Sequence, residues 1–144
     1  MNDKFYLDFD DLSNFEEPEE MNKEVEIDVL KEKIIIDIKI ISDYEIYFYC
    51  KTGEIYKMYH ESECCEDVSL EDICGDLNDL INSPILIAEE STNYDNPKYE
   101  EEENNDSFTW TFYKISTVKG HVTIRWYGTS NGCYSEFVDF IQVK

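Results

Sequence analysis

Residues 60–77, with the sequence HESECCEDVSLEDICGDL, hold the side chains of this chain whose types are best suited to chemistry. The segment contains His60, Cys64, Cys65 and Cys74 among seven carboxylates. Histidine and cysteine in one segment are consistent with a structural zinc site, a disulfide, or a thiol nucleophile with its base. The fourth interpretation is that the thiols pack in the core and the carboxylates face solvent.

The spacing and the charge of this segment favour the fourth interpretation. Adjacent residues of an extended chain point to opposite faces, so Cys64 and Cys65 cannot easily share one metal ion. A disulfide between them is expected even less, because a bridge between neighbours is strained and the cytosol keeps thiols reduced. The carboxylates that surround the two thiols disfavour a thiolate; they belong to Glu61, Glu63, Glu66 and Asp67.

We therefore expect no metal, no cofactor and no enzymatic activity. The common motifs of nucleophilic hydrolases, zinc proteases, phosphate loops and dinucleotide sites do not occur in the sequence. One of Cys64 and Cys65 is expected to point into the core, and Cys74 is expected to pack beneath a helix. Whether His60 and the cysteines do more than pack remains open at this stage.

The elements that would position this segment are predicted from periodicity. Alternation over residues 34–41, 44–50 and 54–60 predicts a three-stranded meander, with Ile34, Ile36, Ile38 and Ile40 on one face. Leu70, Ile73, Cys74 and Leu77 follow helical spacing behind Ser69, which predicts a helix. Asp76 is expected to cap a second short turn that carries Leu77 and Leu80. Further strands are predicted near residues 84–90, 108–113, 122–126 and 133–143. The predicted fold class is α+β, with an about seven-stranded, mainly antiparallel sheet and one short helical segment.

The charge divides the chain into distinct parts. Residues 1–33 carry 12 acidic and 4 basic residues, and residues 61–106 carry 16 and 1, within a net charge of −22. We interpret residues 1–32 as an acidic N-terminal tail or docking segment, and residues 33–144 as a single α+β domain with an acidic insertion at about 91–106. No secretory signal and no membrane-length apolar run is present, so the host cytoplasm is the expected location.

Two stretches carry a resemblance to a known family. They are ECCEDVSLEDICGDLNDLINSPILIAEE and FTWTFYKISTVKGHVTIRWYGTSNGCYSE. They are similar to a family of small uncharacterised phage and prophage proteins that share a Cys-Cys-Glu element, a Gly-Asp-Leu turn and a Trp-x-Gly-x-Ser-Asn-Gly hairpin. The similarity covers about residues 34–92 and 107–140. It implies a phage origin and no particular activity. The acidic tail lies outside the shared part, and Cys133 departs from the aromatic residue expected there.

The leading hypothesis is that the chain is a phage-encoded interaction protein that inhibits a host nucleic-acid-handling defence protein, as an anti-CRISPR or anti-restriction protein would. Such a partner has a basic surface, whereas nucleic acid itself is repelled, and no membrane is involved. The chain would act by electrostatic mimicry of nucleic acid. The protein-binding residues are predicted to be the acids Asp8, Asp10, Asp11, Glu16, Glu17, Asp95, Glu100, Glu101, Glu102 and Glu103 with the apolar anchors Phe5, Phe9 and Phe15.

Two alternatives stay open. One is a small-molecule-binding protein that sequesters a nucleotide, and the other is a passive phage accessory protein. A possible ligand patch at the predicted hairpin tip consists of Trp126, Tyr127, Asn131 and Tyr134, although turn chemistry is favoured because the Asn-Gly pair alone explains the tip.

Overall fold

A computed structural model describes residues 2–18, 20–94 and 107–144 of the chain. Nine strands and one short helix, α1 (Phe9–Ser13), occur among these residues. The strands are β1 (Lys23–Glu24), β2 (Ile35–Ser42), β3 (Glu45–Cys50), β4 (Ile55–Tyr59), β5 (Asp67–Cys74), β6 (Ile87–Asn93), β7 (Ser107–Thr117), β8 (Gly120–Ser130) and β9 (Asp139–Gln142). Single 3-10 turns lie at Asp3–Phe5, Ile27–Leu30 and Leu77–Leu80. No helix of the described ranges is long and apolar enough to cross a membrane.

The strands form two antiparallel sheets. The first has the order β1-β9-β4-β3-β2 and the second the order β5-β8-β7-β6. The prediction of one sheet with about seven strands is therefore wrong, although the prediction of a largely antiparallel, β-rich domain is confirmed. Because β9 pairs with β4 rather than with β8, the chain does not form a hairpin at Asn131-Gly132 but crosses from the second sheet to the first.

The helix predicted behind Ser69 is a strand. Leu70 pairs with Trp126 and Cys74 with Thr123, so β5 lies along β8. The register shifts between Leu70 and Asp72, which marks a bulge. A bulge inserts one extra residue into a strand, so buried positions on either side of it are separated by three rather than two. That spacing imitates a helix in the sequence. The predicted short turn over Leu77–Leu80 is confirmed, and the Asp76 side chain accepts a hydrogen bond from the N–H of Asn78 at 2.9 Å.

A similar shift changes the face of β2. The register is irregular between Ile35 and Asp37, and the buried side chains are Ile35, Ile38 and Ile40, while Ile36 is exposed. The expected face with Ile34 and Ile36 is therefore wrong in its first half. The second half of the predicted alternation is confirmed.

The main core lies between the two sheets. Trp126 of β8 is fully buried, and its indole N–H points at the sulfur of Met58 in β4, 3.2 Å away. Ile27 and Leu30, which precede β2, belong to the same core. A second apolar cluster, with Tyr47 at its centre, covers the opposite face of the first sheet, where Phe15 packs on Tyr47 at 5.2 Å between ring centroids. The two clusters hold the loops that carry the polar sites described next.

Candidate functional site: the acidic hollow and the Glu66 pocket

The segment that connects β4 to β5 carries a buried carboxylate. Glu66 directly precedes β5, and only 1% of its side chain is exposed. Its Oε1 accepts hydrogen bonds from the Ser62 hydroxyl at 3.0 Å, from the N–H of Cys64 at 3.4 Å and from the N–H of Glu63. Burial acts to raise the pKa of Glu66, but these hydrogen bonds and the interaction with His60 outweigh it and hold the pKa below its ordinary value. Glu66 is thus kept ionised mainly by its own loop.

His60 faces this carboxylate from the end of β4. Its Nδ1 lies 2.8 Å from the carbonyl oxygen of Phe137, and 5% of its side chain is exposed. Because a carbonyl oxygen can only accept, Nδ1 must carry the proton. The other ring nitrogen, Nε2, lies 3.6 Å from Glu66 Oε1. Neither His60 Nε2 nor Glu66 Oε2 has a hydrogen-bond partner, and both atoms are buried.

His60 and Glu66 lie in the lining of a cavity of about 220 Å³. We call it the Glu66 pocket, and its lining consists of Tyr44, His60, Ser62, Glu66, Asp67 and Val68. Tyr44 and Asp67 are exposed, so they form the rim of the pocket, and the Tyr44 hydroxyl lies 3.3 Å from Asp67 Oδ1. The pocket therefore combines a buried imidazole and carboxylate at its base with an aromatic ring and a second carboxylate at its rim.

A second feature is a larger hollow between β1, the 3-10 turn at Ile27–Leu30, β6 and β9. Its volume is about 660 Å³, and its described lining contains no lysine or arginine. We call it the acidic hollow, after its carboxylates Glu24, Glu26, Asp28, Glu90 and Asp139. Five like charges thus face one space without a cation among them.

Two carboxylates of the acidic hollow, Glu90 and Asp139, have pKa values above their ordinary values. Desolvation raises the pKa of Glu90 and outweighs the hydrogen bond that Glu90 accepts from the Tyr113 hydroxyl at 3.0 Å, and the Glu26 carboxylate raises this pKa further. Desolvation also raises the pKa of Asp139, with contributions from Glu24 and Glu61 against the opposing effect of His60. Ionised carboxylates are therefore energetically uncompensated in the free protein.

A third space, of about 410 Å³, lies beside the C-terminal half of β5 and is also rich in carboxylates. It is lined by the carboxylates of Asp3, Asp43, Glu71 and Asp72 together with Asn2 and Tyr6. Arg125 reaches Asp72 at 3.6 Å across the sheet surface. Acidic concave surfaces thus occur on more than one side of the molecule.

The structure separates the residues of the predicted N-terminal binding segment. Phe5 is buried in the main core and Phe15 is half-buried against Tyr47, while the side chain of Phe9 is 85% exposed. Asp8 caps α1, because its side chain accepts a hydrogen bond from the N–H of Asp11 at 2.8 Å. The other acids of this segment lie on the surface; they are Asp10, Asp11, Glu16 and Glu17. The remaining predicted acids, Asp95 and Glu100 to Glu103, lie outside the described residues.

The four residues of the predicted ligand patch do not come together. Trp126 points into the core, whereas Tyr127 lies on the outer face of the same strand, with its ring tilted against Trp110 at 4.4 Å between centroids. Asn131 is exposed and closes a local turn by accepting from the N–H of Cys133 at 3.0 Å. Tyr134 is half-buried in the loop that follows.

That loop brings a carboxylate into the interior that the sequence did not single out. Glu136 is buried and accepts hydrogen bonds from the hydroxyls of Thr109 at 2.8 Å and Ser130 at 2.5 Å. Both oxygens are thereby satisfied, so the group fixes the loop to β7 and β8. No local sequence pattern predicts this role of Glu136, because its partners Thr109 and Ser130 lie on β7 and β8.

The cysteines differ from the prediction. Cys64 and Cys65 form a disulfide with each other, and both are exposed. Cys74 is exposed on β5 rather than packed beneath a helix. The buried thiol belongs instead to Cys50 at the end of β3. Within the described ranges, no three histidine, cysteine, aspartate or glutamate side chains are grouped so that they could hold a metal ion.

Comparison with known proteins identifies the family but no activity. No curated protein and no solved structure matches the chain. One family model, the domain of unknown function DUF7448, matches residues 22–140, which include all nine strands except the last two residues of β9. The chain therefore belongs to the DUF7448 family.

Proposed function

We propose that this protein is a binding module that uses its acidic concave surfaces to engage the basic surface of a nucleic-acid-handling protein. The acidic hollow is the observation that carries the proposal. Glu90 and Asp139 are held there with raised pKa values, and the described lining supplies no cation. A partner that inserts lysine or arginine side chains would relieve this unfavourable charge, and that relief would contribute to the free energy of binding.

Three lysines of the described residues form ion pairs with carboxylates outside the acidic hollow. Lys33 pairs with Glu54 at 3.0 Å, Lys57 with Glu45 at 3.7 Å and Lys144 with Glu20 at 3.8 Å. These lysines belong to other parts of the surface than the acidic hollow. With a net charge of −22, the molecule attracts basic proteins over the whole Debye length of about 8 Å at physiological ionic strength.

The partner class follows from charge complementarity. Surfaces that bind nucleic acid are lined with lysine and arginine, because duplex DNA carries one negative charge per about 1.7 Å of its axis. A rigid sheet scaffold that carries carboxylates can occupy such a surface in place of DNA or RNA. In the host cell of a phage, a CRISPR effector or a restriction enzyme has such a surface, and its blockage would be an anti-defence activity.

The proposal is tested by first identifying partner proteins and then measuring whether nucleic acid competes with this protein for them. The protein, immobilised by its C-terminus, is exposed to a bacterial lysate, and retained proteins are identified by mass spectrometry and then purified. We expect a nucleic-acid-binding protein that duplex DNA or guide RNA displaces. Its affinity is expected to fall at least about tenfold between about 50 and 200 mM salt. A retained partner that is displaced by neither nucleic acid nor salt would overturn the proposal.

Two variants with equal charge locate the contact. One replaces Glu24, Glu26 and Glu90 by Gln and Asp139 by Asn, and the other replaces Glu100 to Glu103 by Gln. Each removes four charges, so the two share the same loss of long-range attraction and should slow association similarly. Only the first removes the acidic hollow. We expect faster dissociation for that variant alone, measured by surface plasmon resonance on the purified partner.

A further inference from the structure

We propose that the Glu66 pocket is a binding site for a primary ammonium group at the end of an aliphatic stem. His60 and Glu66 line a cavity, and each has one buried acceptor without a hydrogen-bond partner, Nε2 in His60 and Oε2 in Glu66. An ammonium group has three N–H donors and no acceptor, which is the complement of this pair. The source of the group is either a free alkylamine or a lysine side chain of a partner protein.

The tautomer of His60 determines the polarity of the site. The carbonyl of Phe137 requires the proton on Nδ1, which leaves a lone pair on Nε2 of the neutral ring. That lone pair lies 3.6 Å from Glu66 Oε1, which already accepts from three donors of its own loop, while Glu66 Oε2 accepts none. Two acceptors that face each other are unfavourable unless a donor lies between them. The ligand is therefore a donor, and a positive charge suits it best beside Glu66.

The size of the cavity selects more than a water molecule. Its volume of about 220 Å³ is several times the ~30 Å³ that one water occupies in the liquid. Val68 contributes an apolar wall for an aliphatic stem. At the rim, the ring of Tyr44 and the carboxylate of Asp67 provide a second pair of groups that attract a cation. The base thus matches the ammonium group and Val68 matches the stem, while the rim attracts the same cation.

The first experiment uses the unmodified protein and three probes of similar size. n-Butylammonium has both charge and N–H donors, tetramethylammonium has charge alone, and n-butanol has a hydroxyl donor alone. We expect saturable NMR shifts of the His60 ring and of the Glu63 and Cys64 amides with n-butylammonium only. These amides report on the site because they donate to Glu66. Equal shifts with tetramethylammonium, or no saturable shift with n-butylammonium, would overturn the proposal. The latter would mean that an imidazolium at His60 already fills the donor role.

A matched pair of variants tests the role of the carboxylate. Glu66→Gln retains one oxygen for the three loop donors and turns the other oxygen, Oε2, into an NH₂ group, which is a donor in place of an acceptor. It is expected to fold and to bind n-butylammonium at least about tenfold more weakly, since a charge-assisted hydrogen bond is lost. Glu63→Gln removes the same charge from the same loop but outside the pocket lining, and it should bind as the unmodified protein does. Equal losses in both variants would show general charge attraction only, which contradicts the proposal.

Two further measurements separate the sources of the ammonium group. The link to a lysine side chain rests on the proposed function, whereas the binding of n-butylammonium does not. If a purified basic partner loses affinity for the Glu66→Gln variant, and n-butylammonium weakens its binding to the unmodified protein, the source is a lysine of the partner. If the partner binds both forms equally while n-butylammonium still binds, the site serves a free amine. If n-butylammonium binds and no basic partner is retained at all, the proposed function fails and the pocket stands.

Discussion

At the scale of single residues, two cysteine side chains of this chain occupy opposite environments, one buried and one exposed. Cys50 is buried at the end of β3, and burial together with the Glu54 carboxylate raises the pKa of its thiol to about 11. Cys74 ends β5 on the surface, with its sulfur 3.5 Å from Asp72 Oδ2. The sequence suggested Cys74 as the core thiol, because Cys74 follows apolar residues at helical spacing. The environment of a cysteine depends on the element that carries it.

This contrast predicts opposite outcomes for one substitution at two sites. Cys74→Ser should change the free energy of unfolding by less than about 0.5 kcal/mol, because a hydroxyl on the surface can still donate to Asp72. Cys50→Ser should cost about 1–3 kcal/mol, because it places a hydroxyl in an apolar interior. Urea unfolding followed by tryptophan fluorescence measures both. A large loss for Cys74→Ser would mean that β5 is packed differently from the description above.

The buried polar residues Glu66 and His60 show which side-chain contacts could be predicted from the sequence and which could not. The donors that hold Glu66 come from its own loop, so the Cys-Cys-Glu element does mark the place. The orientation of His60, however, is set by Phe137, which is distant in sequence and belongs to the segment before β9. A pocket that depends on such a contact becomes visible only when the strand order is known.

At the scale of elements, local alternation predicted most of the strands, although β5 was predicted as a helix. It predicted the pairing of neighbouring strands but not the long-range pairs. The paired strands β2 to β4 and the hairpin of β7 and β8 were predictable, because short turns at Gly53 and Gly120 join neighbours in the chain. The long-range pairs of β5 with β8 and of β9 with β4 were not. Nothing local distinguishes these partners from other strand edges, and the result is two sheets instead of one.

The segment between β8 and β9, which crosses from the second sheet to the first, passes very close to Gly128 of β8. A Cβ atom on Gly128 would lie 2.6 Å from the carbonyl oxygen of Glu136, and no positive φ is involved at this glycine. The close approach allows Glu136 to reach Thr109 and Ser130. Gly128 is therefore required for contact between the two segments and not for a special backbone conformation.

We expect Gly128→Ala to lower the free energy of unfolding by about 1–3 kcal/mol, the usual cost of forcing extra volume into a packed site. The crossing segment should move away, so the amide signals of residues 135–138 should shift most in an NMR spectrum. Thr129→Ala, at the next position of β8, is the control and should leave those signals in place. If Gly128→Ala matches Thr129→Ala in both measurements, the segment does not pack on β8 as described.

At the scale of the whole molecule, the carboxylates divide into two groups with opposite effects on folding. Glu90 and Asp139 have raised pKa values in the folded protein, while Glu54, Glu66 and Asp76 have lowered ones. The acidic hollow and the Glu66 pocket thus represent the two cases. The carboxylate charge of Glu90 and Asp139 in the hollow is not compensated, whereas the charge of Glu66 in its pocket is stabilised. The composition of the chain, with a net charge of −22, shows only that acid is abundant.

The two groups predict a maximum of stability in mild acid. A raised pKa means that the folded state binds the proton more tightly, so Glu90 and Asp139 stabilise the fold increasingly as the pH falls through their raised pKa values toward the ordinary 4.5 and 3.8. A lowered pKa has the reverse effect. Glu54 and Glu66 stabilise the fold fully above the ordinary 4.5, and this stabilisation is lost as the pH falls through their lowered pKa values. The free energy of unfolding should therefore rise from neutral pH to about pH 4.5 and fall below it.

Urea unfolding across this pH range, at low protein concentration because the isoelectric point is about 4.1, measures the curve. Glu90→Gln should raise stability at neutral pH and flatten the rise toward acid, since it removes one of the two carboxyls that produce the rise. Glu89→Gln removes the same charge from the same strand but outside the acidic hollow. It should retain the slope, although it also lowers the overall repulsion between carboxylates. A free energy of unfolding that declines steadily from neutral pH, or equal slopes for the two variants, would show that Glu90 is not held in an uncompensated site.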